Sequence, residues 1–228
     1  MKKTIPFIAF AMVLSAVFIG CKKDEPNKPA SDWFIDASVE NGASFNSEID
    51  SAYLYVGDVV KGFHIVGRAK YNGGNFQINP SATVPAKYLS DEEMRGEGLT
   101  LSDPSAKVAL AFLAGSKNNN PNLAIVNHKS GEVSTNDFAG GVIMYVYADR
   151  DVKITGTSTE TEEDEEEGLI INIVSNFDLN LKKGWNKTIR YYSNITNIGF
   201  DVELKSTNDV PAGYTWSVVE ANWHPDKP

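Results

Sequence analysis

The residues with the greatest capacity for metal chemistry form one acidic run, residues 160–167, in which seven of eight side chains are carboxylates. Hard oxygen ligands of this kind can bind Ca²⁺. A calcium loop, however, spaces its ligands so that they converge and places a glycine at the sharp turn, and this run has neither feature. We therefore predict a solvated hairpin tip, extended by charge repulsion, between a strand ending near Gly156 and a long strand that starts at Leu169.

A second group of ionisable residues is Asp149-Arg150-Asp151. Two carboxylates on either side of a basic residue suit metal ligation or acid–base work. Aspartate also favours turns, and this group separates two apolar runs, residues 142–148 and 152–157. The position predicts a turn.

The three histidines, His64, His128 and His224, have no spacing typical of a zinc site, and no GxSxG elbow is present. We predict no catalytic residue, no metal site and no cofactor. A hydrolase that assembles two carboxylates from distant segments is the alternative, because such a pair leaves no local trace in a sequence.

Aromatic side chains concentrate near the C-terminus, and flat rings on a β face can stack on sugars or pack against a protein partner. Most of them are predicted to lie in the core, because they share the strand parity of Ile189 or Val218. Tyr192 has the opposite parity and Trp223 follows the last strand, so these two are the candidate ligand-binding residues. The rings considered are Trp185, Tyr191, Tyr192, Tyr214, Trp216 and Trp223.

The elements that must position these residues are strands. A strand with one mostly buried face is predicted from the alternation of two sets of residues. The predicted buried set is Phe63, Ile65, Gly67, Ala69 and Tyr71, and the other set is His64, Val66, Arg68 and Lys70. The glycine-rich turn at residues 72–75 then predicts a hairpin with residues 75–79. Short strands are predicted at 108–114 and 123–126, on either side of a loop at 115–122. The run 142–148 is apolar on both faces, which is typical of a central strand.

The C-terminal half continues this pattern. Residues 169–181 predict a long strand with one buried face, residues 182–184 a turn, and 185–192 a returning strand. Further strands are predicted at 198–204 and 214–218. One helix is predicted within residues 85–94, where Ser90 and Glu93 have capping-box spacing. The sequence therefore predicts an all-β fold, an antiparallel β-sandwich, with a β-barrel-like fold or two small β domains divided at 115–122 as alternatives.

The composition excludes several classes of protein. The 228 residues are 42% hydrophobic and 11% aromatic, which indicates a packed body rather than a disordered chain. The formal net charge of −9 would repel phosphate backbones, so no nucleic-acid partner is expected.

The N-terminus has the pattern of an export signal. Lys2 and Lys3 precede an apolar run at residues 5–19, which is too short for a stable membrane span and ends at Gly20-Cys21. A small residue followed by the only cysteine resembles the lipobox of bacterial lipoproteins. The resemblance implies that residues 1–20 are a signal peptide, that cleavage falls between Gly20 and Cys21, and that the Cys21 thiol carries a diacylglycerol with acyl chains such as palmitate.

The residues after Cys21 are polar and contain two prolines, so residues 21–31 are predicted to be a lipidated tether and residues 32–228 a single β-rich domain. Lys22-Lys23-Asp24-Glu25 resembles the export signal of Bacteroidetes surface lipoproteins. Residues 181–186 resemble a stretch of uncharacterised β-rich lipoproteins from the same group. The first of these resemblances implies an outer-membrane, surface-displayed protein, with a periplasm-facing position in the outer membrane as the alternative. The second supports the β-rich fold and the origin. We expect a non-catalytic binding module for a glycan or protein partner, with the hydrolase or a structural envelope component as alternatives.

Overall fold

The computed structural model describes residues 33–58, 60–91, 96–129, 140–164, 169–196, 199–207 and 211–220. The predictions on Gly20, Cys21, Trp223 and His224 lie outside these residues. Within them, thirteen strands and two short 3₁₀ helices are present. The strands are β1 (Ile35–Ser38), β2 (Ser51–Asp58), β3 (Gly62–Lys70), β4 (Asn75–Ile78), β5 (Leu99–Leu101), β6 (Val108–Lys117), β7 (Asn120–Lys129), β8 (Gly140–Ala148), β9 (Val152–Asp164), β10 (Leu169–Leu181), β11 (Gly184–Thr196), β12 (Gly199–Thr207) and β13 (Thr215–Glu220).

Most strands belong to one large sheet with the order β3-β2-β6-β7-β8-β11-β12-β10-β9-β5, and β13 joins it by pairing with β7. Pairing is antiparallel except between β10 and β12, which run parallel. Strand β8 lies in the middle and is largely buried, as its two apolar faces predict. A two-stranded sheet, β1 with β4, provides a second layer. The fold is all-β, and the predicted antiparallel β-sandwich is confirmed.

Two large cores occupy opposite sides of the large sheet, and a third, small cluster consists of Tyr53, Tyr55 and Ala114. The first lies under β1 and β4 and contains Leu54, Ile78, Tyr145 and Trp185 among its buried side chains. The second collects apolar residues of β6, β8, β9 and β10, including Val152, Ile154 and Leu181. Alternate residues of one strand therefore serve different cores.

The turn at residues 72–75 is confirmed, but the predicted hairpin with the preceding strand is wrong. Asn72 and Asn75 exchange backbone hydrogen bonds of 3.0 and 3.1 Å, and Gly73 and Gly74 have positive φ. Strand β4 then leaves β3 and pairs with β1 instead. It crosses close to Gly67, where a Cβ would lie 2.5 Å from Ile78 Cγ2. The missing side chain of Gly67 is what lets the second layer approach.

The predicted face of β3 changes at a β-bulge. The register of β2 and β3 shifts between Leu54 and Tyr55, so Val66 becomes the extra residue. Val66 is consequently 2% exposed in the first core, whereas Ile65 is 46% exposed. The prediction that Ile65 shares the buried face is wrong for this reason.

The predicted loop at residues 115–122 is a tight hairpin instead. Strands β6 and β7 extend to Lys117 and from Asn120, and Asn118 and Asn119 form the turn with φ of 53° and 63°. Asparagine tolerates this left-handed conformation better than most residues. The proposed division of the body at this loop therefore falls inside a continuous hairpin.

Strands β10 and β11 do not pair, which corrects the predicted return of residues 185–192 along the long strand. β12 lies between them, parallel to β10 and antiparallel to β11. Residues 182–184 therefore connect two strands that are separated in the sheet by β12.

The predicted helix within 85–94 is also wrong. It reduces to a 3₁₀ turn at Ala86–Tyr88, and Ser90 forms a β-bridge with Val108 instead of a helix cap. Glu93 lies outside the described residues.

Candidate functional site

Tyr192 lies on the opposite face of β11 from the first core, as its parity predicts. The guanidinium carbon of Arg190 lies 5.2 Å from the centre of the Tyr192 ring, within the range of a cation–π contact. Both residues are half-buried, and burial raises the pKa of Tyr192. Their cross-strand partners are apolar: Val142 and Leu204 flank Arg190, and Val202 pairs with Tyr192. The pair therefore borders the second core.

Arg190 is a candidate site residue that no sequence pattern marked. Its Nε atom is buried, and no described residue accepts a hydrogen bond from it. The contrast with Arg150 is clear, since the Arg150 guanidinium donates to Asp149 at 3.0 Å and lies 3.6 Å from Asp103. No sequence pattern marks this difference, because it depends on which carboxylates the fold brings near each arginine.

A second candidate site is the outward face of β9, β10 and β12, which we call the polar face. Its side chains have the parity opposite to Ile173, Leu179 and Leu181, which are buried in the interior. Register places threonines of β9 directly opposite asparagines of β10. The polar face consists of Lys153, Thr155, Thr157, Thr159, Thr161, Asn172, Val174, Asn176, Asp178, Asn180, Asp201, Glu203, Lys205 and Thr207.

Hydrogen bonds between strands order the side chains of the polar face. Thr157 Oγ1 donates to Asn176 Oδ1 at 2.7 Å, and Thr161 Oγ1 donates to Asn172 Oδ1 at 3.1 Å. Each of these asparagines also carries an amide nitrogen with two N–H donors. The face presents donors and acceptors in fixed rows about 4.7–4.9 Å apart, the spacing of neighbouring strands.

An open groove of about 370 Å³ lies at one end of the polar face. Its lining contains a single carboxylate, Asp178, among hydroxyl, amide and ammonium groups. The neighbouring Glu203 is paired with Lys205 at 2.7 Å. Five residues line the groove: Lys153, Asp178, Asn180, Ser206 and Thr207.

The second layer ends beside this face. Ile189 of β11 is 4% exposed, whereas Lys205, its direct partner on β12, is exposed. The same side of the sheet is therefore a covered core up to β11 and an open surface from β12 onward. The period of two in residues 169–181 predicted one buried face for that strand. It did not identify the polar face, because the order β12-β10-β9 comes from long-range pairing.

The Asp149-Arg150-Asp151 group forms the predicted turn between β8 and β9. Asp149 Oδ1 accepts the backbone N–H of Lys107 at 2.9 Å. Asp151 accepts the backbone N–H of Lys183 at 2.8 Å and the Lys182 ammonium at 3.0 Å. These bonds, the backbone one above all, lower the pKa of Asp151. The carboxylates of Asp149 and Asp151 therefore link the turn by hydrogen bonds to the neighbouring segments at Lys107 and at Lys182 and Lys183.

The acidic run extends a hairpin, as predicted, although the first strand is longer than expected. β9 continues past Gly156 to Asp164, which pairs with Leu169 of β10. Glu160 therefore lies within the strand and is exposed, while residues 165–168 lie outside the described part of the chain. Among the described residues, no group of three His, Cys, Asp or Glu side chains could hold a metal ion.

The two described histidines make structural contacts. The His64 ring stacks on the Tyr88 ring, with centroids 5.1 Å apart. His128 Nε2 lies 3.0 Å from the hydroxyl of Ser217, which links β7 to β13.

The aromatic side chains form an internal ladder between the layers. Trp216 stacks on Tyr145 with centroids 6.4 Å apart, and Trp33 contacts both Tyr145 and Trp185. Trp185 is 8% exposed, and Tyr191, Tyr214 and Trp216 pack against the first core. The prediction that most aromatics lie in the core is confirmed for these residues.

Comparison of the chain with protein-family models, curated proteins and solved structures found no match. Within the described ranges, no helix is long and apolar enough to cross a membrane.

Proposed function

We propose that this chain is a lipoprotein, anchored in the outer membrane through acyl chains on Cys21 and displayed at the cell surface, whose β body is a non-catalytic binding module. Its ligand is a hydroxyl-rich or otherwise polar molecule, a glycan or a protein partner, held on the polar face. The observation that carries the proposal is the exposed, hydrogen-bonded array of threonine and asparagine side chains on β9 and β10.

The chemistry of the polar face favours a polar ligand. A ligand that leaves a donor or acceptor unpaired loses about 1–3 kcal/mol for that group, so a fixed array of such groups selects a complementary partner. Apolar molecules gain little here, because the side chains of the groove are hydroxyl, amide and charged groups. The contacts between Thr157 and Asn176 also reduce the side-chain entropy lost on binding.

The arrangement of carboxylates favours binding over hydrolysis. A glycosidase places two carboxyl groups on either side of the scissile bond, about 5 to 10 Å apart. Asp178 and Glu203 instead project from the same open face, and Glu203 forms an ion pair with Lys205. An open face also lacks the exclusion of water that helps acid catalysis.

The N-terminal residues supply the attachment. Lys22, Lys23 and the prolines of residues 21–31 suit a solvated tether, and Trp33 marks the point where the chain packs into the body. Because lipid and tether provide anchoring, the body itself needs no bilayer contact.

A glycan array combined with a broad glycosidase screen on the full chain tests the binding module. We expect binding to a restricted set of glycans without turnover, or, if the partner is a protein, no glycan signal and no turnover. Hydrolysis of any glycan would contradict the non-catalytic assignment and favour the hydrolase alternative.

Display at the surface has its own test. Neutralising Asp24 and Glu25 is expected to reduce cleavage by protease added to whole cells while acyl labelling of Cys21 persists. Exchange of Lys22 and Lys23 for arginine serves as the control. Unchanged cleavage in the Asp24 and Glu25 variant would contradict a sorting role for these residues.

A further inference from the structure

We propose that Arg190 and Tyr192 form a second binding site, which takes a carboxylate group of a ligand such as an acidic sugar. The site lies on the opposite side of the sheet from the polar face. Arg190 pairs across strands with Val142 and Leu204, so the guanidinium emerges among apolar side chains, with the Tyr192 ring 5.2 Å away.

The charge of Arg190 is uncompensated among the described residues. Withdrawal of a charged group from water is costly unless it gains a partner, and buried arginines are therefore usually paired. Arg190 forms no ion pair with any residue that the structure describes, and its buried Nε has no acceptor there. The chain has 30 acidic residues against 21 basic ones, so carboxylates are plentiful. Among the residues that the structure describes, Arg190 is therefore an arginine without a carboxylate partner.

The geometry of the pair suits a carboxylate. A guanidinium is planar, and its edge carries N–H donors that match the two oxygens of a carboxylate. The Tyr192 ring lies on one side of the Arg190 guanidinium and restricts its orientation. Apolar neighbours such as Leu204 keep the local dielectric low, which strengthens a charge-assisted hydrogen bond.

Arg190 is a single positive charge, and this favours a ligand with a single negative charge. Arg190 has no second basic residue as its cross-strand partner, since Val142 and Leu204 occupy those positions. The net charge of −9 repels polyvalent anions. A monovalent carboxylate therefore fits better than a phosphate dianion.

Calorimetric titration of the full chain with sodium glucuronate tests the site, with glucose and sodium chloride as ligand controls. We expect saturable binding of glucuronate that exceeds binding of glucose. Arg190→Gln is expected to weaken it by about tenfold or more, the usual effect of losing a charge-assisted hydrogen bond. Arg68→Gln removes the same charge from an exposed position on β3, outside both proposed sites, and is expected to leave the affinity unchanged.

Arg190→Lys covers the case in which Arg190→Gln fails to fold, because it retains the charge but loses the planar fork. It is also expected to weaken glucuronate binding, whereas Tyr192→Phe, which keeps the ring, is not. Absence of glucuronate binding by the unmodified chain would overturn the proposal. Equal losses in the Arg190→Lys and Arg68→Gln variants would also overturn it.

Discussion

The indole of Trp33 stacks on the indole of Trp185, with centroids 6.1 Å apart and ring planes inclined by 18°. Trp33 also meets the edge of Tyr145 at 5.6 Å. Trp33, the first residue that the structure describes, is thus part of the aromatic ladder of the first core. The N-terminal end of the described body is therefore held by packing between rings.

Trp33→Ala is expected to reduce the free energy of unfolding by about 2–4 kcal/mol, somewhat less than a fully buried tryptophan, because Trp33 is half-buried. Denaturant unfolding of the full chain measures the loss. The adjacent Phe34 is 53% exposed, and Phe34→Ala is expected to change the free energy by about 0.5 kcal/mol at most. Equal effects of the two substitutions would contradict a stabilising role for the packing of Trp33 against Trp185 and Tyr145.

The carboxylate of Asp151 should make the free energy of unfolding depend on pH in the acid range. Its pKa is lowered in the folded state by the backbone N–H of Lys183 and by Lys182, so protons bind more readily to the unfolded chain. The resulting stability is present above the unfolded pKa of about 3.9 and is lost as pH falls through the lower folded pKa.

Urea unfolding of the full chain from pH 7 to pH 2 measures this effect in Asp151→Asn, which keeps an acceptor for the Lys183 N–H. The difference in unfolding free energy from the unmodified chain is expected to stay constant above about pH 5 and to shrink below it. Asp36→Asn removes an exposed carboxylate elsewhere and controls for net charge. If the difference in unfolding free energy between the unmodified chain and Asp151→Asn grew toward low pH, it would contradict a lowered pKa of Asp151 in the folded state.

Lipid attachment should depend on one side chain. Cys21→Ser is expected to abolish labelling with a fatty-acid analogue and to move the protein out of the membrane fraction, because no other cysteine is present. Ser31→Ala, in the tether region, should leave both properties unchanged. Acyl label that persists on the Cys21 variant would exclude the lipobox assignment.

The acidic run should not behave as a calcium site. Replacement of the acids in residues 160–167 by serine and threonine, which avoids glycine within β9, is expected to leave the melting temperature nearly unchanged. Substitutions at exposed positions such as Glu160 usually cost no more than about 0.5 kcal/mol each. Calcium should also shift it little. A specific site would gain about 2.7 kcal/mol at 100 times Kd and melt several degrees higher. Such a rise, lost on neutralisation, would make the run a functional site.

Local pattern predicted the individual strands better than their partners. Residues 142–148 are apolar on both faces, and residues 169–181 alternate with a period of two. Each pattern is visible within its own segment, and the structure has β8 and β10 at these places. The pairing of β4 with β1 and the position of β12 between β10 and β11 depend on contacts between distant segments. No local periodicity encodes those contacts.

The candidate sites show the same division. The parity of Tyr192 correctly placed it away from the first core. Arg190 was missed because its significance is the absence of a described acceptor, which only the folded arrangement reveals. Trp33 was missed because it precedes the first strand and belongs to no alternating run.

The affinity of polar-face variants for a glycan or protein ligand found by screening tests the central proposal most directly. Asn176→Ala combined with Asn180→Ala removes two amide groups from the polar face, and we expect about a tenfold rise in Kd from the lost hydrogen bonds. Asn75→Ala removes an exposed amide from β4 in the other layer and should leave Kd unchanged. An unchanged Kd in the Asn176 and Asn180 variant, or an equal rise in the Asn75 variant, would contradict binding at the polar face.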